Sequence, residues 1–213
     1  MSDLQLTEPQ GARAFNKARN RKALLDAAAL AIYKYGFKAT TIDRIQEISG
    51  LSRGMINQYF GSKDALLWAV AEQLMSEYLE NWKAEIRDPA LTPAQKIEGM
   101  FRADLSEKVL NPQCVAIWFS FRSEVSGTVN FRTLVDKGDL QTEEKFKALC
   151  TELCEEGNYP DVDPILAAKT FTVILEGFWT DFHLHADRFD KKLAMNVCLN
   201  AARSFFPRHF QVN

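Results

Sequence analysis

Apolar residues recur at helical spacing along the first part of the chain. Between about residues 15 and 35, leucine, isoleucine and alanine return every three or four residues, and this spacing predicts an amphipathic helix. Gly36 follows, and glycine is the residue that most often ends a helix in the left-handed conformation. No later segment alternates apolar and polar residues as a half-buried strand does. The pattern therefore predicts an all-α protein.

Two short helices are predicted after the first. The earlier one begins at a threonine N-cap, Thr40 or Thr41, with Asp43 placed three residues after Thr40 as in a capping box. Its inward face carries three isoleucines: Ile42, Ile45 and Ile48. The later helix covers about residues 53–59, and Ser52 is its predicted N-cap.

This arrangement predicts a helix-turn-helix, which consists of two short helices joined by a tight turn. Gly50 permits a left-handed turn, and the helix that follows Ser52 presents Arg53, Asn57 and Gln58 outward. All three side chains can hydrogen-bond to base edges or phosphates, and none is acidic. The N-terminal end of such a helix normally enters the major groove. The segment is therefore predicted to bind double-stranded DNA.

Six further helices are predicted in the rest of the chain. Their approximate ranges are 63–87, 92–110, 112–124, 129–155, 163–186 and 190–206. Proline, glycine or aspartate stands at most of the breaks between them. With a disordered arm over residues 1–12, the predicted domains are a three-helix DNA-binding domain at 13–62 and a helical effector-binding and dimerisation domain at 63–213. The total is about nine helices.

Charge is distributed unevenly along the 213 residues, although the net charge is only −2. Between Gly11 and Lys63 there are ten basic and three acidic residues, a net +7, whereas the chain after Lys63 has 16 basic and 23 acidic residues, a net −7. A basic segment on an acidic body fits a DNA-binding head, although a solvated basic face has the same charges. No apolar run approaches the roughly 18 residues that cross a bilayer, and no signal peptide is recognised. A cytoplasmic location without a membrane partner is therefore expected.

Catalytic and metal-binding residues are not predicted. Cys150 and Cys154 are spaced as neighbours on a helix, but a zinc site needs two further ligands and none is near in sequence. Buried thiols are therefore the favoured interpretation. His183 and His185 would face different sides of a helix, and together with His209 they lack a catalytic partner motif. No cofactor is expected. An all-helical enzyme, a DNA-binding protein without an effector and a helical interaction module are the alternatives.

A longer signature surrounds the helix-turn-helix over about 30 residues. It consists of Gly36, Thr40, Thr41, Ile42, Ile45, Gly50, Leu51, Ser52, Arg53, Gly54, Tyr59, Phe60, Gly61, Ser62, Lys63 and Leu66. This signature resembles that of the TetR family, with Ser49 where the family usually has alanine. Segments 54–60, 116–121, 174–179 and 188–191 are also similar to the BetI-like subgroup, repressors of choline-to-betaine genes.

The resemblance implies a homodimeric repressor that binds a palindromic operator and is released by a small-molecule effector, with a choline-like compound as one candidate. It implies that eight residues face DNA: Thr41, Ser52, Arg53, Gly54, Asn57, Gln58, Tyr59 and Lys63. For the dimer interface, the last two predicted helices are the best candidates, because they hold more apolar residues than one core face needs.

Aromatic residues are dense in the body, where they form either core or an effector pocket. Aromatic rings can hold a quaternary ammonium group through cation–π attraction. The predicted ligand-binding residues are Trp118, Phe119, Phe121, Glu124, Phe178, Trp179 and Phe182. Glu176 and Asp181 are further candidates for a countercharge. We expect the pocket between the helix that begins at Lys63 and the helices that carry Trp118 and Trp179.

Overall fold

The structure, a computed structural model, describes residues 10–124 and 129–211. Within these residues it contains helices and no strand. The helices are α1 (Gln10–Tyr35), α2 (Ile42–Ser49), α3 (Arg53–Phe60), α4 (Lys63–Glu85), α5 (Pro93–Asp104), α6 (Pro112–Glu124), α7 (Val129–Gly157), α8 (Pro164–His185) and α9 (Lys191–Phe205). The all-α fold class is confirmed. None of the described helices is both long enough and apolar enough to span a membrane.

The chain divides into two compact units, with the boundary between Ala71 and Glu72. The boundary therefore falls inside α4 rather than at its start, because the first turns of α4 bury Leu66, Leu67 and Val70. Residues 10–12 of the predicted arm belong to α1. Residues 1–9 of the arm lie outside the described part of the chain.

The start of α2 matches one of the two predicted N-caps, but not the predicted capping box. Thr41 is the N-cap, and its hydroxyl accepts a hydrogen bond from the Arg44 amide at 3.3 Å. Thr40 is fully buried instead, and its hydroxyl donates to the Gly36 carbonyl at 2.8 Å. The capping box with Asp43 is therefore wrong, because the third residue after the true N-cap is Arg44.

The turn between α2 and α3 is built as predicted. Gly50 has a φ of +69° and its amide donates to the Gln46 carbonyl at 2.8 Å. Ser52 is the N-cap of α3, although its side chain makes no capping hydrogen bond. Among the three predicted inward isoleucines, Ile45 is fully buried, and the other two, Ile42 and Ile48, are half-buried.

In the second unit, α5 ends at Asp104 and not near residue 110 as predicted. The Asn81 side-chain amide donates to the Ala103 carbonyl at 2.8 Å, in the last turn of α5. The chain then continues through a turn in which the amides of Val109 and Leu110 donate to the Ser106 carbonyl. Predictions for α6 and α9 agree with the structure to within one residue at each end.

Phenylalanines from α5, α7 and α8 form the centre of the second unit's core. The rings of Phe101 and Phe171 pack edge to face at 5.3 Å between centroids, and Phe146 lies 5.7 Å from Phe101. Cys150 and Cys198 are buried free thiols, and burial raises the pKa of each to about 12. Of the two thiols that the sequence analysis predicted to be buried, Cys150 is buried and Cys154 is half-buried. Among the described residues, no group of three or more histidine, cysteine or acidic side chains is arranged to hold a metal ion.

Candidate DNA-binding helix and effector cavity

The third helix, α3, presents polar side chains to solvent. It is held in the first unit by Ile56, which is fully buried. Six of the eight residues predicted to face DNA are exposed: Thr41, Ser52, Arg53, Gly54, Asn57 and Gln58. The other two, Tyr59 and Lys63, are half-buried. The predicted DNA-facing residues of α3 thus lie on the side of the helix that the core does not use.

Three basic side chains fix the surroundings of α3 in ways that the sequence pattern does not indicate. The Lys63 ammonium donates to the Thr40 carbonyl at 3.2 Å. The guanidinium of Arg21 lies 5.0 Å from the ring centre of Phe60, and that of Arg44 lies 4.2 Å from the ring of Tyr35. Cation–π contacts of this kind are each worth about 0.5–1 kcal/mol at exposed sites. They attach the end of α3 and the start of α2 to α1.

A cavity of about 150 Å³ lies in the second unit. Its walls come from α4, α6, α7 and α8, from the last residue of α5 and from the turn that follows it. A cavity of this volume can hold a molecule about the size of benzene. The predicted position of the pocket coincides with this cavity.

One wall of the cavity is aromatic. Trp118 of α6 and Trp179 of α8 both line it, as does Tyr78 of α4. The rings of Tyr78 and Trp179 pack edge to face, with centroids 6.1 Å apart. Two of the seven predicted ligand-binding residues, Trp118 and Trp179, are therefore at the cavity.

The other five predicted ligand-binding residues are not among those that line the cavity. Phe121 is buried, and Phe119 stacks on His183 with 4.5 Å between ring centroids. Phe178 and Phe182 both pack edge to face against Phe189. Glu124, at the end of α6, is also outside the cavity wall.

Helical spacing explains which residues reach the cavity. On α6 the lining residues are Cys114, Trp118 and Arg122, and on α8 they include Thr172, Glu176 and Trp179. These positions repeat every three or four residues, so they share one face of each helix. Phe119 and Phe178 are each one residue away from a lining tryptophan and lie off that face. Phe121 and Phe182 follow the tryptophans by three residues but are buried and do not line the cavity. The same spacing rule, applied outward from the two tryptophans, would have found the polar lining residues.

Ion pairs surround the cavity. Arg122 lies 2.9 Å from Glu176 and 3.5 Å from Asp139, joining α6 to α8 and α7. Lys169 lies 2.8 Å from Glu143. Glu176, one predicted countercharge, thus already has a basic partner, and the other, Asp181, is exposed and not part of the cavity wall.

Asp104 is the buried acidic residue at the cavity, and the sequence analysis did not identify it. It is the last residue of α5, is only 5% exposed, and its Oδ1 atom has no hydrogen-bond partner. Burial raises the pKa of this carboxyl to about 7, although hydrogen bonding from Tyr78 and Trp179 lowers it. Burial and the nearby Asp104 in turn raise the pKa of Tyr78 well above its usual range.

Comparisons with known protein families agree with this architecture. Residues 24–70 match the family described as bacterial regulatory proteins of the tetR family. Residues 93–207, more than half of the chain, match the family described as BetI-type transcriptional repressor, C-terminal. The two matches cover the helix-turn-helix and most of the second unit.

Curated relatives and solved structures point in the same direction. The HTH-type transcriptional regulator BetI of Paraburkholderia phymatum is 26% identical over 83% of this chain and 88% of its own length. That of Rhizobium meliloti is 32% identical over 54% of this chain and 56% of its own length. Because these relatives are named transcriptional regulators, the expectation that the protein is not an enzyme is supported.

Two solved structures share the fold. A transcriptional regulator from Pseudomonas aeruginosa has a TM-score of 0.80 and 21% identity, over 91% of this chain and 95% of that one. Another, from Saccharomonospora viridis and crystallised in complex with choline, has a TM-score of 0.74 and 14% identity, over 86% of this chain and 95% of that one. The chain belongs to the TetR family and, within it, to the BetI-type transcriptional repressors.

Proposed function

We propose that two copies of this chain bind a palindromic operator, and that a small organic cation bound in the cavity lowers their affinity for it. One observation carries the proposal: the cavity combines two tryptophans with a buried carboxylate that has an unpartnered oxygen. Aromatic faces attract ammonium groups, and a buried carboxylate needs a positive partner. The choline complex of the structural neighbour makes choline the first compound to test.

The DNA contacts of this proposal are the eight predicted residues around α3. Arg53 and Asn57 are exposed near the start of α3, where they can pair with guanine and adenine edges in the major groove. In this proposal Lys63, at the start of α4, contacts a phosphate with its ammonium group, which also donates to the Thr40 carbonyl. One helix-turn-helix reads only half of a palindrome, so the proposal requires a twofold dimer.

The surface of α8 and α9 suits such a dimer. Several of its apolar residues are exposed in the single chain: Ile165, Leu166, Val173, Leu184, Leu193 and Val197. Leu166, Val173 and Leu184 lie on one face of α8, together with Gly177, around which there is open space. A second copy packed on this face would bury the apolar side chains in a four-helix bundle.

Helix α4 supplies the link between ligand and DNA. It begins at Lys63, and its later turns contribute Leu74, Met75 and Tyr78 to the cavity wall. A ligand changes an affinity only if it binds two conformations unequally. Because α4 runs without a break from Lys63 to Glu85, we propose that a ligand acts on DNA binding through this helix.

Selection from random DNA tests the operator proposal. The full chain is incubated with duplexes of random sequence, and bound duplexes are recovered and sequenced over repeated rounds. We expect enrichment of an inverted repeat whose half-sites lie about 10 base pairs, or a multiple of that, apart.

A matched pair of variants provides the control. Arg53→Ala should lose about 1–3 kcal/mol of binding free energy for the selected site, whereas Arg188→Ala, which removes an exposed arginine outside the helix-turn-helix, should retain it. Enrichment of a single asymmetric site would contradict the dimer. Absence of any enriched sequence would contradict specific DNA binding.

A further inference from the structure

The orphaned oxygen of Asp104 has no structural explanation. Two buried side-chain atoms of the described residues lack a hydrogen-bond partner, Asp104 Oδ1 and Trp82 Nε1, and only Asp104 lines the cavity. An acceptor left unsatisfied in the interior is destabilising, and more so when it is charged. If this position contributed to stability alone, a residue without a buried, unpartnered oxygen would be favoured over aspartate.

Hydrogen bonding from Tyr78 and Trp179 stabilises the Asp104 carboxylate in part, but no basic side chain acts on it. Asp104 stands at the C-terminal end of α5, where the helix dipole disfavours a negative charge. Three basic residues line the cavity. Arg122 and Lys169 pair with other carboxylates, and Lys108 is not among the groups that act on the Asp104 carboxyl. The charged group that acts on the Asp104 carboxyl is Glu176, which has the same sign.

A bound ligand can supply both missing elements if it carries a positive charge and a hydrogen-bond donor. A quaternary ammonium group alone supplies the charge, but it has no N–H to offer Oδ1. Within the proposed function, on which this step rests, we propose that the effector bears an N–H or O–H group on or beside its cationic centre. That group donates to Asp104 Oδ1, while Trp118 and Trp179 pack against the cation.

Three compounds of nearly equal size separate charge from hydrogen bonding. Choline has both a cationic nitrogen and a hydroxyl. Propyltrimethylammonium has a methyl group in place of the hydroxyl. The compound 3,3-dimethyl-1-butanol is a neutral alcohol that has carbon in place of the choline nitrogen. Isothermal titration calorimetry with the full chain at slightly alkaline pH measures each dissociation constant. Since a hydrogen bond to a charged group is worth about 1.5–3 kcal/mol, choline should bind about 10-fold or more tighter than propyltrimethylammonium.

Two variants locate the effect at Asp104. Asp104→Asn should weaken choline binding by about 10-fold or more and should reduce the preference for choline over the neutral alcohol. Asp181→Asn removes an exposed carboxylate from α8 outside the cavity, and it should bind all three compounds as the parent does. The comparison of ligands on the parent protein does not depend on the folding of any variant.

The outcomes separate this inference from the proposed function. If both cations bind equally well, or if Asp104→Asn retains the parent's preference for choline, the inference is overturned while a cationic effector stands. If neither cation binds the parent protein at millimolar concentration, the cationic effector itself is wrong, and the inference falls with it.

Discussion

Replacement of Asp104 by asparagine should stabilise the protein in a pH-dependent way. Burial raises the pKa of this carboxyl from 3.8 to about 7 in the folded chain. The native state therefore holds the proton up to about pH 7, whereas the unfolded chain releases it near pH 4. Between these values the native state binds more protons than the unfolded state, so the contribution of Asp104 to stability falls as pH rises and then levels off above pH 7.

The size of the stability difference follows from the shift in the pKa of Asp104. Each pKa unit corresponds to about 1.4 kcal/mol, so a shift of about 3 units amounts to at most on the order of 4 kcal/mol of destabilisation at about pH 8. Asparagine is nearly isosteric and cannot ionise. Asp104→Asn should therefore be more stable than the parent by a few kcal/mol at about pH 8, and this advantage should shrink towards zero near pH 4.

Urea denaturation followed by circular dichroism, at one fixed protein concentration and several pH values, measures this difference. The variant is compared with the parent at each pH, so that other titrating groups cancel. Asp181→Asn is the control, because Asp181 is exposed on α8 and its replacement removes a charge without changing the interior. A stability gap that is the same at pH 5 and pH 8, or an Asp104→Asn variant less stable than the parent at pH 8, would refute the reasoning.

Further expectations concern the DNA-binding surface and the dimer. Asn57→Ala should weaken binding to the selected operator by about 1–3 kcal/mol in a fluorescence anisotropy titration without changing the melting temperature. Lys63→Ala should lower the affinity for all DNA sequences and should reduce the salt dependence by about one phosphate contact. Light scattering at micromolar concentration should give about twice the 24.2 kDa chain mass. Val173→Asp on α8 should give the monomer mass instead, whereas Leu140→Asp, at an equally exposed position of α7, should leave the dimer intact. A dimeric Val173→Asp protein would exclude this face as the interface.

Much of the fold follows from local signals in the sequence. The α6 bounds agree with the prediction because Pro112 can only begin a helix and a break precedes it. Gly50 marks the turn of the helix-turn-helix because its left-handed φ suits glycine. By contrast, α5 ends before the predicted position, and Asn81, a residue distant in sequence, donates to a carbonyl of its last turn. Such a contact between distant residues cannot be predicted from local helix propensity.

The cavity shows the same limit. Trp118 and Trp179 could be singled out because large aromatic residues at helical spacing either pack in a core or line a pocket. Phe121 and Phe182 pack in the core instead, and composition does not distinguish a core aromatic from one that lines a pocket. Asp104 carries no signal of its own, since its significance comes from burial and from an unpartnered oxygen, both of which arise only when the helices pack.

The central claim is that a ligand in the cavity controls the affinity for DNA. Fluorescence anisotropy of a labelled operator, selected as described above, measures the dissociation constant of the full chain with and without millimolar choline. We expect choline to raise this constant by about 5- to 150-fold, the usual range for coupling between two sites. Trp118→Ala should bind the operator as tightly as the parent in the absence of choline and should show no response to it. If choline binds the protein in calorimetry but leaves the operator affinity of the parent unchanged, the cavity does not control DNA binding and the proposed function is wrong.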